Sequence, residues 1–144
     1  MADRLPAPTV PAGAADPARN GGPFGSAPFI VIWEVTRACA LACVHCRAEA
    51  IPRRHSDELT TQEGRELIDR VAAFGSRPPL LVFTGGDPLR RRDLPELVRH
   101  GVDRGLSVSL TPSGTAAATR ERLGALQDAG LVVRMRRGSN SNQA

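Results

Sequence analysis

The sequence predicts an α/β fold built on a parallel sheet, and three observations carry that reading. Short apolar runs alternate with helical patterns through residues 28–136. The resulting order is strand, helix, strand, helix, strand, helix, strand. That is about three and a half βα units, which implies parallel strands joined by right-handed crossovers. Finally, the polar or ligand-bearing segments all follow strands, where parallel α/β folds and barrels form their sites.

Each element has its own justification. Phe29–Val35 is mostly apolar and β-branched, as a buried strand should be. Thr60-Thr61-Gln62-Glu63 is a capping box with Thr60 as N-cap and Glu63 three residues on. The helix it opens carries Leu67, Ile68, Val71 and Ala72 at helical spacing and ends at Gly75. Pro79–Thr84 reads as the second strand. Pro95 suits the first turn of a second helix bearing Leu94, Leu97, Val98 and Val102. Leu106–Thr111 alternates as a third strand. Thr119 caps a third helix with Leu123, Leu126 and Ala129, ended by Gly130, and Leu131-Val132-Val133 starts a fourth strand.

Outside this core, residues 1–27 are rich in Pro, Ala and Gly, lack apolar periodicity, and read as a disordered leader. Residues 137–144 are polar and read as a frayed tail.

The chemistry is concentrated after the first strand. Cys39, Cys43 and Cys46 stand in a C-x3-C-x2-C pattern and are the only cysteines in the chain. Three thiolates on one loop suit a cubane iron–sulfur cluster, which normally takes four, and leave one iron open to a ligand. Two other readings stand beside this one. The thiols could be unligated in an apolar pocket, or they could hold structural zinc with His45 or a distant histidine as fourth ligand. A disulfide framework is disfavoured by the odd count and by the absence of a secretory signal.

Composition excludes several classes. The net charge of +4 is due entirely to arginine, with no lysine in the chain. With no tyrosine and 3% aromatic residues, there is no stacking platform for single-stranded nucleic acid. No apolar run approaches a membrane span. A cytoplasmic protein without nucleic-acid or membrane partners is the expectation.

The second strand leads into Thr84-Gly85-Gly86-Asp87-Pro88, and the third into Thr111-Pro112-Ser113-Gly114-Thr115. Paired glycines leaving a strand let the backbone approach a ligand closely. A tight strand-to-helix turn is the simpler alternative. On one rim with the cysteine loop, ligand contact is the better reading.

A C-x3-C-x2-C loop after a first strand, followed by Gly-Gly-acid-Pro after the second, resembles the radical S-adenosylmethionine (radical SAM) enzymes over residues 28–133. The words Trp33–Ala38 and Cys46–Ala50 resemble the subgroup related to haem-biosynthesis and peptide-maturing enzymes of SPASM type. The resemblance implies the N-terminal portion of a partial (β/α)6 barrel. It implies that Cys39, Cys43 and Cys46 bind a [4Fe-4S] cluster whose open iron is chelated by S-adenosylmethionine. Reductive cleavage would then give a 5′-deoxyadenosyl radical that abstracts hydrogen from a small-molecule or peptide substrate, with a flavodoxin- or ferredoxin-type reductant.

By the same resemblance, His45 stands near the adenine at a position usually aromatic in the family. Gly85, Gly86 and Asp87 match the segment that receives the methionine amino group, with Asp87 where glutamate is common. Ser113 matches a polar position that contacts the methionine carboxylate. No catalytic side chain is assigned. The successive arginines Arg90, Arg91 and Arg92 read as a solvated helix start.

One departure concerns length. Six strand–helix units of about 30 residues need roughly 180 residues, more than this chain holds. Where the fourth strand should continue, the sequence runs Arg134-Met135-Arg136-Arg137. Residues 28–136 are therefore expected to be a truncated core, a fragment with impaired activity. A non-catalytic iron–sulfur or zinc-binding module is the alternative.

Overall fold

Apolar side chains at period two in the strands and near 3.6 in the helices generate one sheet with helices packed against it. The computed structural model describes residues 28–46, 49–74 and 77–131. The expected leader, the tail, the fourth strand beyond Leu131 and the helix stop at Gly75 lie outside these residues. Strand β1 spans Ile30–Thr36, helix α1 Thr61–Ala72, strand β2 Leu80–Gly85, helix α2 Leu94–Asp103, strand β3 Val108–Leu110 and helix α3 Arg120–Asp128. A short 3-10 turn, Pro88–Arg90, lies between β2 and α2.

The described strands form a parallel sheet in the order β1-β2-β3. Trp33 pairs with Phe83, and Phe83 with Leu110, so aromatic and aliphatic side chains stack along one face. Helix packing covers that face. Leu81 and Phe83 are fully buried with Ile68 of α1, Leu97 and Val98 of α2 and Leu126 of α3. The opposite face is open at β1, where Ile30 and Ile32 are exposed.

The helix ends follow the sequence signals. Thr60 and Glu63 form the complete capping box, and Thr119 accepts the Arg122 N–H. Gly130, with φ of 97°, closes α3 through the Leu131 N–H to Leu126 carbonyl bond. The extent of β3 differs from the expectation. β3 is shorter than Leu106–Thr111, because Leu106 belongs to the α2 closure, its N–H bonding the Gly101 carbonyl. Asp93, at the N-cap of α2, makes no side-chain cap bond. Its carboxylate is instead held by Arg91 and Thr61.

Candidate metal and cofactor site

The site is built from three strand ends that are bonded to one another. Past β1 and β2 the ladder continues into the loops. The Gly86 N–H donates to the Thr36 carbonyl at 2.8 Å, and the Asp87 N–H donates to the Ala38 carbonyl at 2.8 Å. This close approach needs glycine. A Cβ on Gly85 would lie 2.2 Å from the Thr36 carbonyl oxygen, and Gly85 has φ of 129°. A Cβ on Gly86 would lie 2.6 Å from the carbonyl oxygens of both Arg37 and Ala38. The close neighbour of the glycine pair is thus the backbone that opens the cysteine loop.

The third loop closes over the same place. The Ser113 hydroxyl donates to the Gly86 carbonyl, and the Thr115 hydroxyl donates to the Asp87 carboxylate. Asp87 is fully buried, and its other carboxylate oxygen accepts the Leu89 N–H at 3.2 Å. Its side chain therefore ties the 3-10 turn to the third loop.

The cysteine loop leaves and returns at one point. Ala38 and Ile51 form a parallel bridge, in which the Cys39 N–H meets the Ile51 carbonyl and the Ile51 N–H meets the Arg37 carbonyl. Cys39 is buried at the base, Cys46 is half-buried, and Cys43 is exposed near the tip; all are free thiols. Cys39 Sγ accepts the Leu41 N–H at 3.4 Å and lies 3.9 Å from Ser113 Oγ. His45 is exposed on the turn beside the fully open Val44.

Cys39, Cys43 and Cys46 line one open cavity of about 690 Å³, to which Arg90 and Glu49 also contribute. Among the described residues, no three Cys, His, Asp or Glu side chains are already drawn together as a metal cage. The donor set nevertheless fits an iron–sulfur cluster. All three cysteines are unbridged and line one cavity, and the most buried one carries an N–H donor of the kind that stabilises cluster sulfur. Thiols of this sort close around a metal as it binds.

Two anchors here were missed in the sequence. Arg91 is 2% exposed, not part of a solvated helix start. Its guanidinium forks onto Asp93 with both contacts at 2.9 Å, donates to the Val35 carbonyl at 3.1 Å, and lies 5.5 Å over the Trp33 ring. Burial alone would raise the Asp93 carboxyl. The Arg91 and Thr61 hydrogen bonds and the nearby guanidinium charge hold it below the usual carboxylate range. Glu58 is the other anchor. It accepts the Thr36 hydroxyl and the Arg37 N–H, both at 2.9 Å, at the entrance of the cysteine loop. Arg91 was hidden in a run of like residues. Glu58 was hidden just before a capping box, where acids are commonplace.

Comparison with known proteins bears on the same residues. The profile described as the Radical SAM superfamily matches residues 33–136, most of the chain. The chain belongs to the radical SAM superfamily. An AdoMet-dependent heme synthase of Oleidesulfovibrio alaskensis is 50% identical over 86 residues, covering 60% of this chain and 22% of that protein. An Fe-coproporphyrin III synthase of Methanosarcina barkeri is 42% identical over 102 residues, covering 71% of this chain and 25% of that protein. A PqqA peptide cyclase of Bradyrhizobium diazoefficiens is 40% identical over 104 residues, covering 72% of this chain and 27% of that protein. This radical SAM chain thus spans about a quarter of the length of these curated relatives. Its parallel three-stranded sheet with intervening helices is the corresponding part of a (β/α) barrel.

Proposed function

We propose that this chain binds a [4Fe-4S] cluster through Cys39, Cys43 and Cys46, and S-adenosylmethionine at the adjoining strand ends. The observation that carries the reading is that Cys39, Cys43 and Cys46, all free, line one cavity on a loop whose base is bonded to the Gly86–Asp87 backbone. When bound, the pair supplies a one-electron cleavage of the sulfonium, giving a 5′-deoxyadenosyl radical able to take hydrogen from a substrate.

The chain's own residues then have separable tasks. The Ala38–Ile51 bridge holds the loop ends together, and Ser113 keeps the third loop against Gly86. The segment Gly85–Asp87 and Ser113 are the proposed contacts for the methionine moiety, and His45 for the adenine. Arg90 lines the same cavity, its guanidinium donating to the Pro52 carbonyl at 3.2 Å.

A haem precursor or a peptide is the proposed substrate class, since the relatives are named for acting on one or the other. A flavodoxin- or ferredoxin-type donor is the proposed electron source, and the cytoplasm the proposed compartment. Among the described residues no helix is long and apolar enough to cross a membrane. Residues 28–136 are the proposed core, flanked by a leader at 1–27 and a tail at 137–144.

The test is anaerobic incubation of the reconstituted chain with S-adenosylmethionine and dithionite, with 5′-deoxyadenosine followed by chromatography. Slow, uncoupled release that is absent in Cys46→Ala is expected. A reconstituted cluster with no release above the Cys46→Ala control would leave a non-catalytic iron–sulfur module.

A further inference from the structure

The cysteine loop is held at its base by a group that lies outside the motif. Glu58 precedes α1 in sequence but turns back to the end of β1, and its side chain is 9% exposed. One carboxylate oxygen accepts the Thr36 hydroxyl at 2.9 Å, the Arg37 N–H at 2.9 Å and the His55 N–H at 3.3 Å. The other accepts Arg54 Nε at 2.7 Å. All of these partners are donors, and the group that meets them is an acceptor without a proton, an ionised carboxylate.

The consequence propagates directly into the loop. Thr36 Oγ, fixed by Glu58, accepts the Ala38 N–H at 3.1 Å. The Arg37 carbonyl, in the residue whose N–H Glu58 holds, accepts the Ile51 N–H and so forms half of the bridge that presents Cys39. The Arg37 guanidinium reaches the far side of the loop, donating to the Glu49 carbonyl at 2.9 Å. A single carboxylate therefore sets the backbone path on which Cys39 stands, without touching a sulfur.

We propose that Glu58 is the positioning residue of the cysteine loop, fixing Thr36–Arg37 so that Cys39 meets the cluster in register with Cys43 and Cys46. This rests on the cluster-binding reading above. Glutamine can keep the one oxygen that Thr36, Arg37 and His55 share and turn its NH2 toward Arg54 alone, so alanine is the variant that removes the acceptor. Aspartate keeps the charge but is one methylene short. Groups that act on metal ligands from behind typically change metal affinity by about ten- to a hundredfold when altered.

The experiment uses the full chain, reconstituted anaerobically with iron and sulfide. Iron release to an excess of chelator and the spectrum of the reduced cluster are compared in wild type, Glu58→Ala and Thr36→Val, with circular dichroism as a check on folding. Glu58→Ala is expected to release iron about tenfold faster, with a broadened electron paramagnetic resonance signal and an unchanged helix signal. Thr36→Val, which removes one partner and leaves the carboxylate, is expected to show a smaller change in the same direction. It also decides the matter if Glu58→Ala fails to fold. Wild-type release rates and spectra in the folded variants, with wild type carrying its cluster, would overturn this inference alone. Failure of wild type to take up iron would overturn both this inference and the cluster reading.

Discussion

Gly85 and Gly86 let the backbone that opens the cysteine loop lie close against the end of β2. Gly86→Ala would drive a methyl group into two carbonyl oxygens at 2.6 Å. The expected cost is about 1–3 kcal/mol of stability from overpacking, together with loss of most iron uptake. Thermal unfolding and iron assay of the reconstituted protein check it, and native iron content would contradict it. Arg91 makes a different prediction. Replacing Asp93 with alanine leaves a buried guanidinium without its counter-charge, at a cost of about 3–5 kcal/mol. Urea denaturation of Asp93→Ala measures this, and a change below about 0.5 kcal/mol, ordinary for a surface substitution, would show that the pair is not buried in solution. The positions of the cysteine loop and the glycine pair at strand ends were legible from their order in the sequence, but the close packing of the glycines on the Thr36–Ala38 backbone was not. Arg91 was not legible, because burial of one arginine among three depends on where Trp33, Asp93 and the Val35 carbonyl fall in space.

Between elements, two carboxylates connect pieces that are distant in sequence. Glu58 joins the end of β1 to the segment before α1, and Asp93 joins the starts of α1 and α2 through Thr61. Burial opposes the charge on Glu58, but its bonds from Arg37, Thr36, His55 and Arg54 hold its carboxyl below the usual range. Both groups are thus depressed on folding. Their contribution to stability is fully present above the unfolded values and is lost as pH falls through the folded ones. Wild type should therefore lose melting temperature steeply as pH drops below about 4.5, the ordinary value for Glu58. The Glu58→Gln, Asp93→Asn double variant should start lower at pH 7 and fall less. Melting curves from pH 7 to pH 2 test this, and parallel loss in the two proteins would refute it. The helices themselves were legible from caps and periodicity. The length of β3 was not, because Leu106 is shared between a strand pattern and a helix closure.

At the scale of the molecule, among the described residues the helix-covered face of the sheet is sealed and the other face is open at β1. Ile30 is 45% exposed and Ile32 56%, both on β1 at one edge of the described sheet. Val44, on the cysteine loop, is 94% exposed. Exposed apolar strand edges favour association. The isolated chain is expected to self-associate on size-exclusion chromatography and to bind an apolar dye. A monodisperse monomer with no dye binding would contradict that. The parallel α/β class was legible because strand and helix periods alternate over the core. The way the three strand-end loops bond to one another was not, because those contacts depend on register rather than on composition.

The central claim is that three cysteines of this radical SAM chain hold a cluster with one iron open to S-adenosylmethionine. Anaerobic reconstitution with iron and sulfide, followed by iron analysis and electron paramagnetic resonance of the reduced protein, tests it most directly. About four irons per chain are predicted, with a signal that shifts on adding S-adenosylmethionine and disappears in Cys43→Ala. Stoichiometric zinc with no iron uptake, or a cluster whose signal ignores S-adenosylmethionine, would contradict it.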